Sequence, residues 1–269
     1  MRIFFLLVDE PFYTSACVEP LLERFGASVV GAAFPAGFFD SRRLKTTLAL
    51  YGAFATAGRV ARMAVASIRG GVVHRQFAVR RIPVHDVADV NAAPFLDELR
   101  RQSIDLIVSI NTPQRLKAPL LALPAHGCLN VHFGMLPRYR GLLPIFHALM
   151  NGEPSFGVTV HVMDEKLDNG DIVAQRAVPI GQSDTLDSLY PKAFAAAAEL
   201  LAEAIDACAR GLLVRRPNLE AEKTYYSYPS RDRIKDYRRR VRQIARPEPV
   251  EGRAAEARGS AGSPRAGAR

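Results

Sequence analysis

The stretch from Asn130 to Asp171, NVHFGMLPRYRGLLPIFHALMNGEPSFGVTVHVMDEKLDNGD, decides how the rest of the chain is read. Gly127 to Phe133 (GCLNVHF) has the composition of a buried strand. Within it Asn130 and His132 are two residues apart, so both side chains point to one face. Leu136 to Gly141 (LPRYRG) follows, where Pro137 and Gly141 stop any regular element. Pro144 suits the first turn of a short helix over Ile145 to Met150. Gly157 to Met163 alternates as a strand, and Asp164 to Asp171 closes the stretch as an acidic turn. Two strand ends and a turn thus place an amide, an imidazole and a carboxylate, that of Asp168, within reach of one another.

Working outward, the flanks predict an α/β protein. Arg2 to Val8 (RIFFLLV) is a continuous apolar run of strand length, the pattern of a strand covered on both faces. Thr14 to Phe25 has helical spacing, with Gly26 as its C-terminal cap. Ala27 to Phe34, Arg81 to Val84, Ile104 to Ile110 and Asp171 to Ile180 read as further strands. Helices are expected over Asn91 to Gln102, capped by Asn91, and over Thr185 to Arg210, capped by Asp184. Asn111 to Leu123 is a helical link broken by prolines. Apolar strands alternating with helices predict a Rossmann-like, mostly parallel sheet with helices on both faces. The loop after the first strand, DEPFYTSA, has no glycine to admit a pyrophosphate, which argues against a dinucleotide cofactor.

Ser41 to Arg69 is helical in composition but interrupted by Arg59, Arg62 and Arg69. Its uncharged run between Lys45 and Arg59 has 13 residues, too short to span a bilayer. A long or broken helix packed beside the sheet is the favoured reading, and an interfacial amphipathic helix the alternative. The C-terminal part changes character. Lys223 to Tyr228 (KTYYSY) is aromatic and expected to pack back on the domain, and Arg231 to Arg246 is a basic helix candidate. The sequence after it lacks aromatics and reads as a disordered tail. The expected organisation is a catalytic domain over 1–210, an extension over 211–246 and the tail over 247–269.

With 269 residues and 48% hydrophobic content the chain can bury one substantial core. The formal charge of +9 is unevenly spread, since 12 Arg or Lys stand against 5 Asp or Glu from Arg231 to Arg269. A basic nucleic-acid-binding core is therefore not implied. Cys17, Cys128 and Cys208 are scattered and read as buried free thiols in a reducing, cytoplasmic setting. No His, Asp or Glu pair has helical ligand spacing beside an open site, so no metal is expected. No serine sits in a G-x-S-x-G turn.

The pattern N-x-H, L-P-x-x-R-G-x-x-P and G-V-T-x-H-x-M-x-x-x-L-D-x-G-D resembles the catalytic half of the folate-dependent formyltransferases. The resemblance is dense from about Asp105 to Ile180 and thinner toward Met1. That family includes enzymes that formylate methionyl-tRNA, glycinamide ribonucleotide and amino sugars, and a formyltetrahydrofolate hydrolase. The resemblance implies 10-formyltetrahydrofolate as co-substrate and an amine as acceptor. It also implies catalytic roles for Asn130, His132 and Asp168, and cofactor contacts at Val108, Ile110, Glu165 and Asp168. His85 to Ala93 would form the other wall of the pterin pocket. After Ile110 this chain has NTPQRL, where relatives often show an aromatic and a glycine.

The chemistry asks for those residue types. Formyl transfer to an amine passes through a tetrahedral carbon bearing an oxyanion, which needs aimed donors and a proton relay. Asn130 supplies an uncharged donor. His132 can carry a proton near neutral pH, and Asp168 beside it can take the proton of the amine. Each also has a structural reading, as a strand-end turn former, a core histidine and a turn cap. His147 and His161 read as structural. Arg138 and Arg140 are open between a structural role and proximity to an acceptor phosphate. Only 59 residues follow Arg210, too few for the β-barrel that helps methionyl-tRNA formyltransferases hold tRNA. A nucleotide-linked amino sugar or similar small amine is therefore the favoured acceptor. The alternatives are methionyl-tRNA, water, or a non-catalytic folate-binding module. Neither a stable membrane insertion nor an oligomeric state is implied.

Overall fold

The computed structural model describes residues 1–37 and 41–245. The tail expected over 247–269, with Arg246, lies outside them. Seven strands form one sheet: β1 (Ile3–Leu7), β2 (Val29–Pro35), β3 (Val84–Val87), β4 (Leu106–Ile110), β5 (Cys128–His132), β7 (Ser155–Val162) and β8 (Ile172–Pro179). Their order is β3-β2-β1-β4-β5-β7-β8. The first five run parallel, while β7 is antiparallel to both β5 and β8. Two further strands, β6 (Arg140–Gly141) and β9 (Tyr225–Tyr226), pair with each other outside that sheet.

Period-two packing explains why the central strands are apolar throughout. Ile3, Phe5 and Leu7 enter one apolar cluster and Phe4 and Leu6 the other, so β1 is fully buried on both faces. One cluster is closed by α1 (Thr14–Phe25), α4 (Val72–Ala78), α7 (Pro144–Met150) and α8 (Leu186–Ala209). The other is closed by α5 (Ala93–Arg101) and α6 (Ala118–Leu121). The mostly parallel sheet with helices on both faces is the architecture expected. Because β1 lies between β2 and β4, all three parallel, the chain leaves its C-terminal end at a switch point, where open α/β sheets form crevices.

Several boundaries differ from expectation. Gly26 has φ −52° and starts a 3-10 turn, so α1 does not end in a left-handed cap. β3 starts three residues later than expected, because Arg81 is left-handed (φ 57°) and turns the chain first. Asn91 does not cap α5; its side chain instead ties Asp89, the Arg115 carbonyl and the Lys117 amide together. At α8 the cap is Thr185, whose amide donates to Ser188 Oγ. Asp184 lies one residue outside and accepts from Gly181 N, Ser188 Oγ and Lys192 Nζ. All three cysteines are free and buried.

The Ser41 to Arg69 segment forms α2 (Ser41–Tyr51) and α3 (Ala53–Ile68), broken at Gly52, whose φ is 82°. Only Thr56 of α3 is buried, so this helix is not packed beside the sheet as expected. Arg59 holds it in place through an ion pair with Asp187 and by lying over the Tyr51 and Phe12 rings. The C-terminal basic helix is α9 (Arg231–Ile244), which buries Ile234 and Tyr237. Tyr237 sits edge-on to Phe146 and accepts from the Leu186 amide. Among the described residues no helix is long and apolar enough to cross a membrane.

Candidate active site

β5 carries Asn130 and His132 to the edge of the sheet where the parallel strands end. The antiparallel register sets Asn130 opposite His161 and His132 opposite Thr159. His161 Nδ1 donates to the Val162 carbonyl at 3.0 Å, which leaves Nε2 as an acceptor. Asn130 Nδ2 donates to it at 3.1 Å. This orients the amide and leaves its second N–H free to act. Burial pushes the His161 pKa down, partly opposed by Asp168, so the ring suits this neutral accepting role.

His132 is fixed from its other side. Its Nε2 donates to the Tyr139 carbonyl at 2.7 Å, and its Nδ1 faces Asp168 Oδ1 at 3.5 Å. That separation is an ion-pair contact, longer than a hydrogen bond. Both side chains are only 8% exposed, and competition from water is correspondingly small. Gly134 makes the arrangement possible: a Cβ there would lie 2.7 Å from His132 Nε2 and 2.6 Å from the Tyr139 carbonyl.

Asp168 arrives on the acidic turn in a left-handed conformation, φ 49°. Its Oδ2 accepts from the Gly141 amide at 2.9 Å, which aims Oδ1 at the histidines. The turn is clamped from outside, since Asn218 Nδ2 donates to the carbonyls of Asp168 (3.0 Å) and Gly170 (3.2 Å). Buried Arg140 completes the clamp by donating to Asn169 Oδ1, Asn218 Oδ1 and Glu220 Oε2. Both of its terminal nitrogens are bonded within the protein, so of the two open roles Arg140 takes the structural one. Arg138 is exposed at the surface near Glu153. Tyr139 and Leu143 are also left-handed, at φ 62° and 52°. Such backbone persists only where surrounding contacts over-determine it, and it gathers at functional sites.

The structure therefore brings Asn130, His132 and Asp168 together. It adds His161, which sequence reasoning had placed in a structural role. The sequence signal was the antiparallel register, readable only once β5 and β7 are known to pair. Nothing in the sequence pointed to Asn218. His147, by contrast, donates to the Ser227 carbonyl and stacks on Tyr226, away from the cluster.

The expected cofactor residues sit differently. Val108 and Ile110 have no exposed surface, and both sides of their strand are paired, with β1 and β5. A ligand can meet this strand only past Ile110, where Asn111 is left-handed (φ 57°). Glu165 is exposed and braces the neighbouring segment by accepting from the Ala118 amide. A cavity of about 60 Å³ between Phe133, Arg138, Tyr139 and Glu153 is too small for a folate or a sugar. Among the described residues no group of three or more His, Cys, Asp or Glu could hold a metal ion.

Residues 77–205 match the family model for formyl transferase. The methionyl-tRNA formyltransferase of Geobacter sulfurreducens is 42% identical over 134 residues, covering 50% of this chain and 42% of that protein. The chain spans about half the length of the curated relatives it matches. A sugar N-formyltransferase from a Shewanella species superposes with TM-score 0.59 at 18% identity, over 89% of this chain and 88% of that one. The N-formyltransferase of Helicobacter canadensis, solved with folinic acid and dTDP-3-aminofucose, gives TM-score 0.58 at 16% identity, over 90% of this chain and 80% of that one. At such identities the structural likeness is one of fold. Residues 77–205, the stretch that matches the formyl transferase model, hold Asn130, His132, His161 and Asp168.

Proposed function

We propose that the chain moves a formyl group from 10-formyltetrahydrofolate to a primary amine. The observation that carries this reading is the pairing of two oriented polar units, Asn130 on His161 and His132 on Asp168, at one strand end. The donor set fits direct transfer. Cys128, two residues before Asn130, is pushed up to about 12 by burial, so it is no thiolate nucleophile that could carry the formyl group.

The folate supplies the formyl carbon and the leaving nitrogen. The spare N–H of Asn130 aims a donor at the carbonyl oxygen, with the His132–Asp168 pair beside it, as that oxygen takes negative charge and the amine's lone pair forms the new C–N bond. Asp168 then accepts the proton the amine loses, directly or through a water. His132 returns a proton to the folate nitrogen as the old C–N bond breaks, giving a formamide and tetrahydrofolate. The nearly dry environment of the His132–Asp168 pair strengthens these contacts. The folate's seat is proposed at the chain past Ile110, with Val108 behind it as support. Glu165 and Asp168 form one wall and His85 to Ala93 the other.

The favoured acceptor is a small amine such as a nucleotide-linked amino sugar. The overlap of fold with a sugar N-formyltransferase along nearly the whole of both chains supports it. Methionyl-tRNA is the second reading, favoured by 42% identity to a methionyl-tRNA formyltransferase and by the basic surface of α9.

The test is tetrahydrofolate release from 10-formyltetrahydrofolate with charged initiator tRNA, with nucleotide-linked amino sugars, or with neither. Release that depends on an amino sugar supports the favoured reading, and release that depends on tRNA supports the second. Release without any amine makes water the acceptor. His132→Ala is expected to cut turnover about 100- to 10,000-fold. Unchanged turnover in that variant would sink the mechanism.

A further inference from the structure

Between Ser41 and His85 the chain carries nine Arg or Lys and no Asp or Glu. α3 lies in this acid-free run with most of its large apolar side chains turned outward. Its inward side presents Thr56, Arg59, Met63 and Ala66 to the protein and leaves the larger apolar groups outside, whereas an ordinary surface helix turns its apolar stripe inward. Its outward side presents Phe54, Ala57, Ala61, Val65 and Ile68, a continuous stripe at helical spacing. Phe54 is 95% exposed and Ile68 85%. Arg62 and Arg69 flank the stripe. α2 adds Leu44 and Leu48, one turn apart and both exposed.

A groove of about 380 Å³ opens beside the stripe, between α3 and α4. Its floor includes Val65 and Val72 and its rim Arg62, Arg69 and Arg75. Among the described residues none of these three arginines has a carboxylate within ion-pair distance. An apolar floor under a cationic rim suits an amphiphile with an anionic head. We infer that the outer face of α3, with this groove, docks peripherally on an anionic lipid bilayer. The stripe enters the headgroup boundary while Arg62, Arg69 and Arg75 meet lipid phosphates. Charge complementarity selects this occupant. A second copy of the chain would bring its own acid-free face against this one, and like charges would oppose the contact. The inference does not depend on which amine accepts the formyl group.

The chain has no tryptophan, so Phe54→Trp introduces a single indole on the stripe, excited apart from the tyrosines. The full-length variant is mixed with vesicles of phosphatidylcholine alone, or with about a third phosphatidylglycerol. A blue shift and sedimentation with the anionic vesicles only are expected. Arg62→Ala/Arg69→Ala should weaken that partition roughly 25-fold, and Phe54→Glu/Ile68→Glu about tenfold or more, with far-UV circular dichroism unchanged. An emission that ignores anionic vesicles would overturn the inference. So would binding that survives Phe54→Glu/Ile68→Glu, which would assign it to the basic α9. A blue shift that grows with protein concentration in the absence of lipid would make the stripe a self-association face instead, and would overturn it too.

Discussion

At the scale of single residues, the candidate site rests on pairs in which one member acts and the other aims it. His161 is the clearest positioning residue. It touches Asn130 through Nε2 and is locked by the Val162 carbonyl through Nδ1. His161→Ala would leave the Asn130 amide free to rotate, and a small misplacement of a catalytic group is costly. The expected outcome is a kcat lower by roughly 10- to 100-fold with an unchanged KM for folate. His161→Gln, which restores an acceptor, should recover part of the loss. A rise in KM with kcat intact would remove His161 from this role. Asn130, His132 and Asp168 were legible in the sequence because they sit in short, spaced patterns. His161 stands in the same pattern, but one strand's alternation cannot show which face meets which neighbour. That takes the β5–β7 register. Asn218 was illegible for a simpler reason: a lone asparagine in an irregular segment carries no periodic signal.

At the scale of elements, α8 shows how a helix start can govern pH response. Burial alone would raise the Asp184 pKa, but bonds from Lys192, Ser188 and Gly181 hold it down, at about 2. Its value in the unfolded chain lies near 3.8. The folded state thus binds this proton more weakly, so the stabilisation is full above pH about 4 and is lost as pH falls toward about 2. Asp184→Asn should lower the urea midpoint at neutral pH and flatten its decline across that acid window. A midpoint unchanged at pH 7 would contradict the assignment. The sequence placed this helix well but put its cap one residue early, because Asp184 and Thr185 are both good caps and only contacts separate them. The outward apolar side of α3 was harder to foresee. Composition gave a helix, yet hydrophobic burial would have turned Phe54 and Ile68 inward, contributing about 1.5–3 kcal/mol each. The Arg59–Asp187 ion pair that faces inward instead contributes about 0–1 kcal/mol at a partly exposed site. Contacts within the chain alone do not explain that orientation.

At the scale of the whole molecule, the mostly parallel sheet with helices on both faces was legible because buried parallel strands advertise themselves as continuous apolar runs, whereas the strand order was not. The boundary expected at residue 210 is less simple. Beyond it, Asn218 clamps the acidic turn, β9 pairs with β6, and Ile234 and Tyr237 enter the main core. Residues 1–210 expressed alone should therefore lose turnover and show a lower, broader urea transition than the full chain. A fragment as active as the whole would show that this extension is dispensable. The charge distribution was only half seen. Besides the basic C-terminal end, an acid-free run from Ser41 to His85 carries nine positive charges.

The clamp on Asp168 also sets an order of events in the life of each molecule. Asn218 follows Asp168 by 50 residues, and Tyr225 pairs with Arg140 from still farther along. As the ribosome extends the chain, Asn130, His132 and Asp168 emerge well before the residues that hold the turn in place. A growing polypeptide thus carries the residues of its candidate site before the clamp exists, and a chain that stalls before Asn218 leaves the ribosome with the acidic turn unclamped.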